Sequence, residues 1–294
     1  MSTSQLIAQR RSIEIPSGRV SFLEQGEGPA ALFIHGVFLN AHMWDGVIDG
    51  VADTRRCIAP DLLAYGATRE HPDADVSFAG QAQALVDFID RLDIDRVDLV
   101  ANDSGGGIAQ ILAARHPQRI RTLTLTNCDV HDGWPPPAFE PTVQAALAGG
   151  LPGLLQSMYA DANMARAALA PGFEFPERLS DDTLRGFIAP FLEPDDRVAG
   201  LERFFRAMDC RRTIEIEPLL RRLTAPTLIL WGTADIFFDI KWASWLRETI
   251  PGARPVVELP GAKLFFPFER PARLSSELRR HWDASAGAPA HVAA

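Results

Sequence analysis

The most constraining feature of the sequence is the stretch from Arg96 to Gln110, which reads RVDLVANDSGGGIAQ. An apolar run ends at Ala101, a polar triplet follows, and consecutive glycines then lead into a helical pattern. This order predicts a buried strand, a very tight turn and a helix that begins at the turn. Strands alternate with helices on either side of it, which predicts an α/β chain with a mostly parallel sheet.

Asp103 is the predicted residue at the apex of that turn. A sharp strand-to-helix turn of the nucleophile-elbow type needs small residues two positions before and two positions after its central residue. Ala101 and Gly105 meet this need around Asp103, whereas a turn centred on Ser104 would crowd Asn102. A helix N-terminus favours an anion, so we expect Asp103 to be ionised at neutral pH and able to attack. The alternative is an ordinary helix N-cap, where Asp is also common.

Composition narrows the class of protein. The chain has 294 residues, 47% of them hydrophobic, which suits one large α/β core. A net charge of −9 argues against nucleic acid or an anionic membrane as a partner. With no signal peptide, no membrane-length apolar run and no C-x-x-C pair, we expect a cytoplasmic monomer or homodimer with reduced thiols. We expect neither a metal nor an organic cofactor, because no ligand cluster or phosphate loop is visible.

The pattern changes between residues 133 and 213, where proline-broken helical stretches replace the alternation. We interpret this segment as a helical cap inserted into an α/β-hydrolase-like core of residues 1–132 and 214–284, with a disordered tail at 285–294. Besides the strand of the elbow, the sequence predicts an opening hairpin at 12–23 and strands at 29–34, 57–62, 122–127, 227–231 and 254–259.

The order of motifs resembles the α/β-hydrolase fold over residues 12 to 283. An aspartate at the elbow makes the chain similar to the haloalkane dehalogenase and epoxide hydrolase branch of that superfamily rather than to serine esterases. The resemblance implies a central sheet flanked by helices, and a hydrolase that attacks its substrate with the elbow aspartate. The motifs that carry it are His35-Gly36, Asp61-x-x-x-x-Gly66, the elbow, the helical insertion, Gly232-x-x-Asp235 and Pro260-Gly261-Ala262.

The resemblance also implies roles for residues around the elbow. The N–H groups of Val37 and Ser104 would form an oxyanion hole. Asp235 would orient the catalytic histidine, and Asp129 is the other position where related enzymes place this acid. In the alternative interpretation, Asp235 has no catalytic role and only caps the next helix. The side chains expected in an apolar substrate pocket are His35, Phe38, Trp134, Tyr159, Phe238 and Leu264.

The catalytic histidine itself is missing from its expected position. In the branch it would stand two residues after Pro260-Gly261-Ala262, and this chain has Leu264 there. His131 is the candidate substitute, because it follows a predicted strand end and is flanked by Asp129 and Asp132. The alternative is that His131 is a hinge residue at the base of the cap.

Three functional hypotheses follow. In the leading one, Asp103 attacks a small hydrophobic substrate at an ester, epoxide or halide carbon, and Asp235 and His131 complete the site. In the second, Asp103 is the general base of a lyase or isomerase. In the third, the chain is a catalytically degenerate ligand-binding protein. Dehalogenation is weakened because Ser104 replaces the tryptophan of dehalogenases, and epoxide opening because Tyr159 is the cap's single tyrosine.

Overall fold

The computed structural model describes residues 10–193 and 197–286. Its described residues form nine strands, namely β1 (Arg10–Ile15), β2 (Gly18–Gln25), β3 (Ala30–Ile34), β4 (Arg56–Pro60), β5 (Arg69–Glu70), β6 (Val97–Asp103), β7 (Ile120–Cys128), β8 (Thr227–Gly232) and β9 (Val257–Leu259). They make one sheet in the order β1-β2-β4-β3-β6-β7-β8-β9, with β5 paired to β2. The pairs from β4 through to β9 are parallel, and those made by β2 are antiparallel.

The middle of the sheet is buried on both faces. Every residue of β3 and of β6 is buried, which is the pattern of parallel strands covered by helices above and below. At the edge, the predicted hairpin turns at Gly18, which has a φ of +134°. A Cβ at this position would lie 2.3 Å from the Arg69 carbonyl oxygen, so there is no room for a side chain. The predicted α/β class with a mostly parallel central sheet is confirmed.

Helices join successive strands. Ser77 caps the second of them, accepting a hydrogen bond from the Gly80 N–H at 3.2 Å, as its position in the sequence suggests. The helices are α1 (Asp45–Asp49), α2 (Phe78–Arg91), α3 (Ser104–Arg115), α4 (Glu140–Leu147), α5 (Leu151–Ala160), α6 (Ala162–Leu169), α7 (Asp181–Ile188), α8 (Arg197–Arg206), α9 (Arg211–Ile214), α10 (Glu217–Leu220), α11 (Lys241–Thr249), α12 (Phe266–Glu269) and α13 (Pro271–Ser285).

The described residues between β7 and β8 contain the helices α4 to α10 and no strand. A buried carboxylate attaches them to the core: Glu70 accepts hydrogen bonds from Arg197 at 3.1 Å and from Arg203 at 3.4 Å. Asn40 adds a hydrogen bond to the Gly186 carbonyl at 2.9 Å. Breaking a buried ion pair is costly, so these contacts hold the helices against the sheet edge.

Some boundaries differ from the sequence prediction. The strand expected at 254–259 is shorter, because only Val257–Leu259 pairs with β8. The final helix includes Ser285, which the sequence prediction placed in the tail, and residues 287–294 of that predicted tail lie outside the described part of the chain. Cys57 and Cys128 are buried free thiols. None of the helices in the described ranges has the length and apolar character needed to cross a membrane.

Candidate active site

Asp103 stands at a strained turn between β6 and α3. Its φ of +56° is in the left-handed region, which a non-glycine residue adopts at a cost of about 1–3 kcal/mol. Asp103 occupies the N-cap position of α3, but its side chain makes no capping hydrogen bond there. Gly105 explains the tightness, since a Cβ there would lie 2.4 Å from the His35 carbonyl oxygen. The backbone therefore presents Asp103 as a nucleophile elbow presents its central residue.

One carboxylate oxygen of Asp103 is held by the backbone of the loop after β3. The Val37 N–H donates to Oδ2 at 2.8 Å, and the Ser104 N–H also favours the charged form. Gly36 permits this approach, because a Cβ there would lie 2.1 Å from Oδ2. Val37 and Ser104 are thus two backbone donors that favour the ionised Asp103 carboxylate.

His35 positions this loop and does not reach the substrate space. Its Nδ1 donates to the Gly36 carbonyl at 2.9 Å, and its Nε2 accepts from the Leu62 N–H at 3.0 Å. Complete burial lowers the pKa of His35, which keeps the ring neutral in this tautomer. The Leu62 loop is itself fixed by Asp61, which accepts hydrogen bonds from the N–H groups of Ala41 and Ala67. The Asp61 motif is therefore structural.

The charge of Asp103 differs from the sequence expectation. Burial raises the pKa of Asp103 from 3.8 to about 7, and the nearby charge of Asp235 adds to the rise. The N–H groups of Val37 and Ser104 oppose the shift without cancelling it. The sequence prediction of an Asp103 ionised at neutral pH rests on the helix N-terminus, whereas desolvation acts in the opposite direction and brings the pKa of Asp103 close to neutral.

Leu264 lies where the resemblance would place a histidine. It is buried, its side chain lines the same cavity as Asp103, and its carbonyl accepts a hydrogen bond from Asn102 at 3.0 Å. The loop after β9, where the resemblance places a histidine, is thus hydrogen-bonded to the elbow strand. It presents the apolar side chain of Leu264 to the cavity.

Asp235 is present without a histidine to orient. Its Oδ2 accepts from the Asn127 side chain and its Oδ1 from the Phe237 N–H, each at 2.8 Å. Burial raises the pKa of Asp235 to about 6. Asp235 influences Asp103 through its charge, but it is not among the cavity-lining residues.

The structure does not bring His131 into the cavity. Its Nδ1 lies 3.0 Å from Asp132, its Nε2 lies 3.1 Å from Glu217, and its ring packs 4.9 Å from that of Trp245. Both ring nitrogens therefore face carboxylates, and one of these, Glu217, is the first residue of α10. This placement matches the hinge interpretation, and the local sequence could not show it because Glu217 is distant along the chain.

A cavity of about 170 Å³ lies over Asp103, and its walls are largely apolar. Of the predicted pocket residues, Phe38, Phe238 and Leu264 line it. Trp134 instead stacks on Phe78 at 4.1 Å, and Tyr159 is 39% exposed to solvent. Further lining side chains, missed from the sequence because most come from the helices between β7 and β8 or the loops next to them, are Phe139, Leu154, Met158, Leu169, Met208 and Ile236.

Two buried polar residues near Asp103 have no primary catalytic role in the sequence prediction. Asp129 lines the cavity, is 1% exposed, and its Oδ2 has no hydrogen-bond partner in the described part of the chain. The Tyr65 hydroxyl is also buried without such a partner, and burial together with the charges of Asp103 and Asp129 raises the pKa of Tyr65. Within the described ranges, no cluster of three or more His, Cys, Asp or Glu side chains forms a potential metal site.

A strained acidic elbow at the carboxyl edge of a mostly parallel sheet defines an α/β-hydrolase type of site. The family model of the alpha/beta hydrolase fold matches residues 29–269, and the chain belongs to this family. It is 34% identical to a haloalkane dehalogenase of Mesorhizobium japonicum over 192 residues, which is 64% of this chain and 62% of that protein. It is 27% identical to haloalkane dehalogenase 2 of Mycobacterium tuberculosis over 281 residues, which is 92% of this chain and 93% of that protein.

Solved structures show the same fold. The structure of an epoxide hydrolase superposes with a TM-score of 0.78 at 18% sequence identity. The superposition covers 94% of this chain and 98% of that one. At that identity the likeness concerns the fold alone. Together, the comparisons place the chain among the hydrolases of the α/β-hydrolase family, with haloalkane dehalogenases among its relatives.

Proposed function

We propose that the protein is a covalent hydrolase in which Asp103 attacks a small hydrophobic substrate at an electrophilic carbon. The observation that carries this proposal is the position of the Asp103 carboxylate. Its Oδ2 is held by the Val37 N–H at 2.8 Å, while the residue faces an apolar cavity. Once ionised, a carboxylate held in this way needs no base for its attack, because it carries the charge itself.

The cavity limits what the substrate can be. A cavity of about 150 Å³ holds a benzene-sized molecule, so the volume of about 170 Å³ here suits a substrate of roughly six carbons. Apolar side chains such as Phe38, Phe238 and Leu264 make most of the wall, and none of its described lining residues is Lys, Arg or His. We therefore propose an uncharged, hydrophobic substrate, enclosed by a cap made of the helices between β7 and β8.

Release of the covalent ester requires water activated by a base, and Leu264 leaves the usual histidine position without one. The oxyanion-hole donors, Val37 and Ser104, are suited to stabilise the charge that forms when water attacks the Asp103 ester. Asp235 contributes negative charge near this centre. Its hydrogen bond from the Asn127 side chain also fixes the loop that follows β8.

A second candidate function has one observation in its favour. A pKa of about 7 makes Asp103 a well-matched general base at neutral pH, as a lyase or isomerase would require. In that case Asp103 exchanges a proton with the substrate and forms no bond to it.

Intact-protein mass spectrometry after incubation with hexyl bromide separates the two candidates. Covalent attack predicts one hexyl group on the wild-type protein, located to Asp103 by peptide mapping, and none on Asp103→Asn. Asp132→Asn, which alters a surface aspartate beside His131, is the matched control and should react like the wild type. A wild type that neither carries the label on Asp103 nor releases hexanol, or equal labelling of Asp103→Asn, would remove the covalent proposal.

A further inference from the structure

The cavity contains a second carboxyl group for which the proposed function has no use. Asp129 follows the last residue of β7, the strand beside the elbow strand, and its N–H lies 3.4 Å from the Asp103 carbonyl oxygen. Asp103 and Asp129 both line the cavity. Gly107 makes room for the second one, since a Cβ at that position would stand 3.1 Å from the Cβ of Asp129.

The two carboxyl groups share a setting that cannot hold two negative charges. Both are at most 6% exposed, and the described lining residues include no basic side chain. Oδ2 of Asp129 is buried without a protein partner, whereas Oδ2 of Asp103 has the Val37 N–H. Like charges in a desolvated site favour one shared proton, and the carboxyl group with fewer donors keeps it. Burial and the charge of Asp103 raise the pKa of Asp129 well above its ordinary value, with only a polar contact from the Ser104 side chain opposing the rise.

We propose that Asp129 is the catalytic acid and base of this site, and that the protein turns over electrophiles whose leaving atom is an oxygen that must take up a proton, such as a small apolar epoxide. This proposal rests on the proposed function, because it needs the ester on Asp103. The acid–base role goes to a residue at a position that the resemblance reserved for an orienting acid.

In the first step, Asp103 Oδ1 forms a bond to an epoxide carbon and the carbon–oxygen bond of the ring breaks. The electron pair goes to the departing oxygen, which takes the proton of Asp129. The products are a hydroxyalkyl ester on Asp103 and an ionised Asp129.

In the second step, the ionised Asp129 takes a proton from water, and the water oxygen attacks the Asp103 carbonyl carbon. The negative oxygen that results lies beside the Val37 and Ser104 N–H groups. When this intermediate collapses, the proton that Asp129 took from water passes to the departing ester oxygen, and the diol leaves. The pair of carboxyl groups ends as it began, with one proton between them.

A halide substrate cannot pass through this cycle of proton transfers. A halide ion departs without a proton, so Asp129 stays protonated while Asp103 becomes an ester. No base is then formed to activate water at neutral pH, and the reaction stops at the alkyl ester. The carboxyl pair thus discriminates between substrates by the proton demand of the leaving atom.

The test compares hexyl bromide with butyloxirane, two six-carbon probes, on the wild type, Asp129→Asn and the control Asp132→Asn at neutral pH. The wild type and the control should convert butyloxirane to its diol continuously, and should stop after one hexyl group on Asp103 with hexyl bromide. Asp129→Asn imitates the protonated carboxyl, so it should accept the hexyl group as the wild type does. Its diol formation should fall by about 10²–10⁴, the contribution of a general acid–base group.

Each result has a defined meaning. Hexyl labelling of Asp129→Asn shows that the variant is folded and its nucleophile intact. Diol formation by Asp129→Asn at the wild-type rate would overturn the role of Asp129, as would sustained release of hexanol by the wild type. A wild type that carries no hexyl group on Asp103 and releases no hexanol would instead overturn the covalent function on which this inference depends.

Discussion

Asp103→Asn should stabilise the protein at neutral and alkaline pH while it removes the nucleophile. The folded state raises the pKa of Asp103 from 3.8 to about 7, so folding makes this carboxyl hold its proton more tightly. The stability associated with the protonated form is complete below about pH 4 and is lost as the pH rises through about 7. At 1.36 kcal/mol per pKa unit, the ionised Asp103 lowers the free energy of unfolding by on the order of 4 kcal/mol above that range.

Urea unfolding of the wild type and Asp103→Asn, followed from about pH 5 to about pH 8, measures this loss. The variant should be the more stable protein at the upper end, and the difference should shrink as the pH falls. Asp132→Asn is the matched control, because Asp132 is exposed and its pKa is lowered by His131 rather than raised. A difference that does not change with pH, or a wild type more stable than the variant at pH 8, would refute desolvation as the source of the shift.

Three further substitutions test the geometry of the site. Gly36→Ala would place a methyl group 2.1 Å from Oδ2 of Asp103, so labelling by hexyl bromide should fall by at least about 100-fold in a protein that still unfolds cooperatively. His131→Ala should leave labelling and diol formation unchanged and cost less than about 1 kcal/mol in urea unfolding; loss of diol formation would restore His131 to the mechanism. Leu264→His should release the hexyl ester that persists on the wild type, with a rate gain of up to about 10²–10⁴ in a mass time course; a persistent ester would mean that a histidine at this position does not reach the ester.

Much of the fold was accessible from the sequence because its signals are local. Buried parallel strands produce short apolar runs, and each glycine of the elbow has a steric reason. A Cβ at Gly105 would meet the backbone of β3, one at Gly106 would meet Cys128, and one at Gly107 would meet Phe78. The glycine run indicates a tight turn with close contacts, although it does not identify partners that are distant along the chain, such as Cys128 and Phe78.

The electrostatics of the site could not be predicted in the same way. The sequence shows that Asp103 begins a helix, but the residues that remove water from it come largely from the cap helices and neighbouring loops, far along the chain. His131 has aspartate neighbours in sequence, yet its Nε2 partner is Glu217. Of those neighbours, Asp129 turns into the cavity, and Asp132 alone reaches the ring. Side-chain direction and long-range burial decided each of these outcomes.

The residue at position 264 bears on two questions: the histidine that the resemblance places there, and the proposed acid–base role of Asp129. A histidine there would place a basic group in the cavity with Asp103 and would accept the proton that two close carboxyl groups cannot both lose. Leu264 supplies apolar surface in place of that acceptor, and burial raises the pKa of both Asp103 and Asp129. In our proposal, this side chain therefore takes away the usual base and leaves a protonated Asp129 to serve a leaving oxygen. Leu264→His should reverse both effects together: as it gains release of the hexyl ester, its rate of labelling should lose the dependence on ionisation near pH 7 that the wild type shows.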